Sequence, residues 1–336
     1  MNETLRQGVR AYPGNLTYLD LIRRNKRESV LIMAAVILLG VILGAVIAAA
    51  LAARAAGGGS LEELLPSAIL GAMAALVAGS LAAAWSWFGG AQAILSLSGA
   101  VPADAATDPE LFHVVEEMAI AGGLPMPKIF VIPDSALNAF ATGRDPEHAA
   151  VAITHGLRTR LTRDELQGVM AHEMAHVRHY DIRFAMIMAT MVGLIVFACD
   201  AIRRAVWHGG RGSGRGSSRG KGGGAGVVLM LLLVVLAMIA PLVARLMQLA
   251  YSRRREYLAD AGAVELTRNP EGLASALTKL AEDADPLVDT ANRGTAHMYI
   301  VNPLRHMREA RQAVDSVFSS HPPIQERIAR LMALTR

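Results

Sequence analysis

Charge disappears from four stretches of this chain, and the remaining residues are organised around them. Val30–Ala53 and Pro66–Phe88 carry no charged residue. A helix needs about 20 apolar residues to cross a hydrocarbon core, so both predict transmembrane helices, at 30–53 and 66–88. Both are too long for a signal-peptide core, and no cleavage region follows the first. Trp85 and Trp87 fall at the end of the second run, the depth at which aromatic residues gather. A second apolar pair occupies 183–206 and 227–250. Its uncharged cores, Phe184–Cys199 and Val227–Ala244, are respectively short for a span and at the threshold.

Between the two pairs, 89–182 has a soluble pattern, and 251–336 returns to a polar, mostly helical one. "PELFHVVEEMAIAGGL" has the apolar spacing of a short helix. "KIFVI" (Lys128–Ile132) and "AAVAITHGL" (Ala149–Leu157) are β-branched and predict strands, with "LNAFATG" between them. "TRDE", Thr162–Glu165, is a capping box, so a helix starts near Arg163. The expected class is an α-dominated α+β integral membrane protein with a small sheet and two to four transmembrane helices.

Composition agrees. The chain has 336 residues, 53% hydrophobic and 18% charged, and its mean hydropathy is +0.34. The first segment, 1–29, holds Arg6, Arg10, Arg23, Arg24, Lys26 and Arg27, whereas the turn after the first span holds Arg54, Glu62 and Glu63. Positive-inside bias then keeps the N-terminus, and the chain after Phe88, in the cytoplasm. The single cysteine, Cys199, excludes an intramolecular disulfide and sits in an apolar run as a small hydrophobe. The segment 207–226 is a Gly/Arg/Ser-rich flexible linker. Its charges are sparse and no aromatic residue interleaves them, so nucleic acid is not an expected partner. If both flanking segments cross, Arg211, Arg215, Arg219 and Lys221 lie outside, against the positive-inside tendency. A hairpin that penetrates only part way avoids that conflict, and the pattern leaves both open.

The candidate chemistry lies in "VMAHEMAHVRHYD", Val169–Asp181. His172 and His176 are i and i+4, on one helical face, where two imidazoles can converge on one zinc ion. Glu173 projects beside such a metal rather than onto it, the place of a general base. The flanks Val169, Met170, Ala171, Met174, Ala175 and Val177 are apolar or small. Charge buried among them is costly unless paired or bound to metal. The metzincin continuation needs Gly at 179 and His at 182, and this chain has His179 and Ile182. A glutamate from a second helix is the other common source of a third ligand. "SRRREYLAD" supplies Glu256, with Asp260 one turn on to accept a histidine N–H and set its tautomer. Asp181 can pair with one of Arg253, Arg254 or Arg255 and brace the two helices.

Taken together, the two N-terminal spans, "LNAFATG", "AHEMAH", the second apolar pair, "SRRREYLADAGAV" and "SHPPIQERI" resemble the HtpX family of membrane zinc metalloproteases, relatives of the CAAX prenyl proteases. The likeness covers nearly the whole chain. It implies a zincin-like (gluzincin) catalytic domain with one Zn2+ held by His172, His176 and Glu256, and Glu173 as the catalytic residue. It further implies cleavage of misfolded or membrane proteins at the cytoplasmic face of the bacterial inner membrane, as in quality control under stress. Asn138 in "LNAFATG" would help hold substrate backbone by strand addition. His321 and Arg327 would donate to the oxyanion, with Pro322 and Pro323 opening the helix that carries Arg327. A plainer reading makes "HPP" only a helix start. The chain departs from the family in its longer N-terminal extension and in His179, which is expected to be a surface or supporting residue. The rival functions are a narrow processing enzyme in the prenyl-protease manner and a scaffold with structural zinc. The first wants a larger intramembrane chamber, and the second has no use for Glu173.

Overall fold

The computed structural model describes residues 18–56, 58–209, 224–282, 300 and 322–334. The chain divides into two compact units. One comprises 30–86 and 187–248, and the other the described parts of 1–29, 87–186 and 249–336.

The first unit is helical. Its elements are portions of α1 (Tyr18–Ala55), α2 (Leu61–Leu97), α6 (Asp181–Gly209) and α7 (Gly224–Thr267). Among the described residues, four stretches are long and apolar enough to cross a membrane: Arg27–Ala55, Glu62–Leu97, Asp181–Arg204 and Val227–Met247. The helices bury Val36, Leu43, Met188, Ile195, Cys199, Ala237 and Ala240 against one another. They leave outward residues such as Leu70 (68% exposed), Leu81 (67%) and Val227 (69%) uncovered. So much apolar surface suits lipid and not water. Helices α1 and α2 approach closely at glycine: a Cβ on Gly71 would lie 2.3 Å from the Gly44 carbonyl oxygen. Small residues are what permit such contact between membrane helices.

The second unit carries the sheet. Strands β1 (Val101–Pro102), β2 (Lys128–Ile132), β3 (Ala139–Thr142) and β4 (Ala150–Thr154) lie in the order β1-β2-β4-β3. The β2/β4 pair is parallel, while β1/β2 and β3/β4 are antiparallel. Helices α3 (Pro109–Gly122), α4 (His155–Arg160), α5 (Arg163–Arg178), α8 (Pro270–Glu282) and α9 (Ile324–Met332) complete it. The core is shared by α3 (Leu111, Val115), α5 (Leu166, Val169, Met170), α8 (Leu273, Leu277) and the sheet (Val151, Ile153). The α-dominated α+β class expected from the pattern is the one observed.

Two expected elements differ. The strand expected over 149–157 ends at Thr154, because the Thr154 hydroxyl accepts the Leu157 N–H and caps α4 instead. The polar helix expected to begin at Ser252 is instead the distal part of α7, which runs unbroken from Gly224 to Thr267. No glycine or proline lies between Pro241 and Gly262 to stop it.

Candidate metal centre

Helix α5 delivers the histidine pair. The Thr162 side chain accepts from Glu165 N, and the Glu165 carboxylate accepts from Thr162 N at 2.8 Å, so the expected capping box closes. Glu165 is further held by Ser275 Oγ (2.7 Å) and Lys279 Nζ (2.6 Å) from α8. Burial would raise its carboxyl, but Lys279, Ser275 and the Thr162 N–H outweigh that and hold it below the usual range. Two turns on, His172 and Glu173 are fully enclosed.

Glu256 on α7 meets the pair. One donor atom each from His172, His176 and Glu256 lie within 4.8 Å of one another. His172 Nε2 stands 3.7 Å from Glu256 Oε2, and His176 Nε2 stands 3.6 Å from Oε1. These gaps exceed hydrogen-bond length. They approach the ~3.3 Å edge of a tetrahedron with bonds of about 2.0 Å. The opposite ring nitrogens explain the orientation. His172 Nδ1 lies 3.0 Å from Asp260 Oδ1, and His176 Nδ1 lies 3.0 Å from Asp181 Oδ2. An ionised carboxylate can only accept, so each Nδ1 carries the proton and each Nε2 presents its lone pair. Two nitrogen lone pairs and an anionic oxygen thus converge on one point, a donor set that fits zinc.

Electrostatics favour the same state. Burial pushes the His172 imidazole down to about 4, helped by the Arg327 charge and opposed by Asp260, so the ring is neutral as ligation requires. Burial pushes the Glu173 carboxyl up to about 7, with Glu256 adding to the rise. The His176 and Arg327 charges and an N–H from Ala141 of β3 oppose it. Burial would raise Asp260 too, but the Arg327 guanidinium and His172 hold it below the ordinary carboxylate range.

Arg327, 1% exposed, is the residue whose surroundings the sequence did not foretell. Its Nε and Nη2 grip both oxygens of Asp260 at 2.9 and 2.7 Å. Its Nη1 donates to the Ile300 carbonyl (3.1 Å) and lies 3.3 Å from Glu256 Oε2. The guanidinium of this expected oxyanion donor reaches Asp260, Glu256 and Ile300, and its Nη2 also stands 3.5 Å from both ring nitrogens of His172. No local pattern links α9 to α7, so only the fold makes this pair.

Asn138 lies just before β3, an edge strand as expected, yet it is buried. Its N–H donates to Thr154 Oγ1 and its carbonyl accepts from Thr154 N, so it ties β3 to β4. The outer edge of β3 is presented by Ala139, whose carbonyl accepts from Ile300 N (2.9 Å), and by Ala141, whose N–H meets Glu173. His179, expected to be a surface or supporting residue, is 2% exposed at the end of α5 and stands outside the donor triad. The surface half of that expectation is corrected: the close of α5 lies in the core. His321 lies outside the described residues.

Four membrane-length helices and a helix-borne His/His/Glu donor set with an adjacent carboxylate define a membrane metalloprotease. The chain belongs to peptidase family M48, whose profile matches residues 105–335. Its relatives include a protease HtpX homolog of Ligilactobacillus salivarius (strain UCC118), 43% identical over 310 residues, which span 92% of this chain and 97% of the relative. Another is the protease HtpX homolog of Lactiplantibacillus plantarum (strain ATCC BAA-793 / NCIMB 8826 / WCFS1), 42% identical over 313 residues, 93% and 98% of the two chains. Among solved structures, the crystal structure of S. mikatae Ste24p aligns with a TM-score of 0.47 at 22% identity, over 74% of this chain and 55% of that one.

Proposed function

We propose that this protein is a zinc-dependent endopeptidase of the bacterial inner membrane that cuts misfolded or membrane proteins at the cytoplasmic face. One observation carries the reading: the Nε2 atoms of His172 and His176 face the two oxygens of Glu256 at 3.6–3.7 Å, beside the buried Glu173. His172, His176 and Glu256 are the ligands. Zinc bound there supplies Lewis acidity toward the scissile carbonyl and brings the pKa of water in the site to about 7.

The chain's own residues do the rest. Glu173 takes the proton of the attacking water and passes it to the departing amine nitrogen, leaving a carboxylate and a free amine. Its enclosed setting keeps its proton affinity close to neutral pH, as a proton carrier needs. Asp260 holds the His172 Nδ1–H, and Arg327 holds Asp260. Substrate backbone runs along the outer edge of β3, whose attachment to β4 is fixed by Asn138. His321 and Arg327 remain the candidate donors to the oxyanion. The basic residues of 1–29 support a cytoplasmic N-terminus.

The test combines metal analysis with digestion of an unfolded casein-like substrate by the purified full-length chain in detergent. Expected are about one zinc per chain, and cleavage that a chelator abolishes and added zinc restores. Cleavage indifferent to chelation would refute the reading.

A further inference from the structure

Asp181 was expected to pair with one of Arg253, Arg254 or Arg255 and so brace the two helices; its contact with His176 was not foreseen. In the structure it does two things at once. Its Oδ2 lies 3.0 Å from His176 Nδ1, and its Oδ1 lies 2.8 Å from Arg255 Nη2. Both side chains of the ion pair are enclosed, Asp181 at 3% and Arg255 at 5% exposure. Arg255 immediately precedes Glu256 on α7, and His176 is five residues before Asp181. The turn that makes this possible is a costly one. Tyr180 sits at φ 62°, a left-handed conformation rare for a bulky residue, and there the chain breaks between α5 and α6. That conformation returns the first residue of α6 to the last turn of α5.

We infer that Asp181 is a positioning residue of the metal centre, orienting His176 through one oxygen and the Glu256-bearing turn of α7, through Arg255, with the other. The inference rests on His176 and Glu256 being ligands. A carboxylate on Nδ1–H fixes the tautomer and the ring plane, which leaves Nε2 free to ligate. Arg255 gives that carboxylate an oppositely charged partner at 2.8 Å in an environment where an isolated ion would be very costly. Asp260 with Arg327 serves His172 in the same manner, so each ligand histidine has its own carboxylate–arginine support. Both supports join α5 to α7 beside the third ligand: Asp260 lies on α7 with its Arg327 3.3 Å from Glu256 Oε2, and Asp181 reaches α7 through Arg255, the residue before Glu256. Loss of Asp181 should therefore disturb two of the three donors.

The experiment measures zinc affinity by competition with a chromophoric chelator, and the visible spectrum of the cobalt-substituted protein, on the full-length chain in detergent. Asp181→Asn keeps size and one acceptor oxygen but removes the charge. It should weaken zinc binding roughly 10–100-fold and change the cobalt band shape. Asp181→Glu should recover part of the loss. Because Asp181→Asn also strips the buried Arg255 of its counter-charge, the neutral pair Asp181→Asn with Arg255→Gln is measured beside it. That pair should fold and still bind zinc weakly. Wild-type affinity and spectrum in the folded variants would overturn the inference. So would loss of fold in all three, which would make Asp181 a packing element. A wild type that binds no zinc would refute the metal reading itself, a separate outcome.

Discussion

A carboxylate near a metal can be a ligand or a base, and at Glu256 and Glu173 the surroundings separate the two roles. Glu256 stands with one oxygen opposite each histidine, while Glu173, one residue after His172, takes an N–H from Ala141. Glu173→Gln should therefore keep its zinc and lose about 10²–10⁴-fold in turnover. Metal analysis beside the casein assay checks this, and loss of zinc from that variant would exchange the roles. Glu256→Gln removes the anionic donor and should empty the site or nearly so. Asp260→Asn should bind zinc about 10–100-fold more weakly, as supporting residues do. Full occupancy in Glu256→Gln would overturn the ligand set. At this scale the sequence was highly legible for the histidine pair, Glu173 and Glu256. Spacing along one helix places the first three, and the residues after an apolar run suggest the fourth. It named Arg327 for the site but was silent on its grip on Asp260 and on the His176–Asp181 bond, because side-chain partners across helices leave no periodic trace.

Helix α5 can carry two histidines and a glutamate in the core because its other contacts are well secured. Its capping box satisfies donors at the start, and Gly168 lets α8 come close. A Cβ on Gly168 would lie 2.6 Å from Leu273 N and 2.8 Å from its Cα, both backbone atoms that cannot step aside. Gly168→Ala should therefore destabilise the soluble unit by about 1–3 kcal/mol, although alanine is the better helix former. Thermal unfolding followed by circular dichroism would register a lower midpoint, and a raised one would mean that the two helices separate at no cost. The capping box was readable from four letters, since its bonds are local. The need for glycine at 168 was not, since it depends on which helix crosses there.

At the scale of the whole molecule, several buried charges among the described residues are held by partners from distant elements. Glu165 is an example remote from the candidate donor set, bonded by Lys279, Ser275 and Thr162. Its carboxyl is held below its unfolded value, about 4.3. The sign follows from linkage: its contribution to stability is complete above the unfolded pKa and is lost as pH falls through the lower folded one. Urea unfolding should show wild type and Glu165→Gln furthest apart at neutral pH and converging as the medium is acidified below about pH 4. A gap of constant size down to pH 2 would remove the carboxylate from the acid response.

The sequence by itself determined the membrane character, the helix that bears His172, Glu173 and His176, and the family likeness. All three rest on runs or spacings within one segment, where hydrophobicity and the 3.6-residue period act locally. Tertiary structure alone decided that Arg327 of α9 clasps Asp260, that Asp181 meets His176 while it bonds Arg255, and that α8 crosses α5 at Gly168. Those pairings depend on which elements the packing brings together, and a buried ion accepts whichever partner comes within reach.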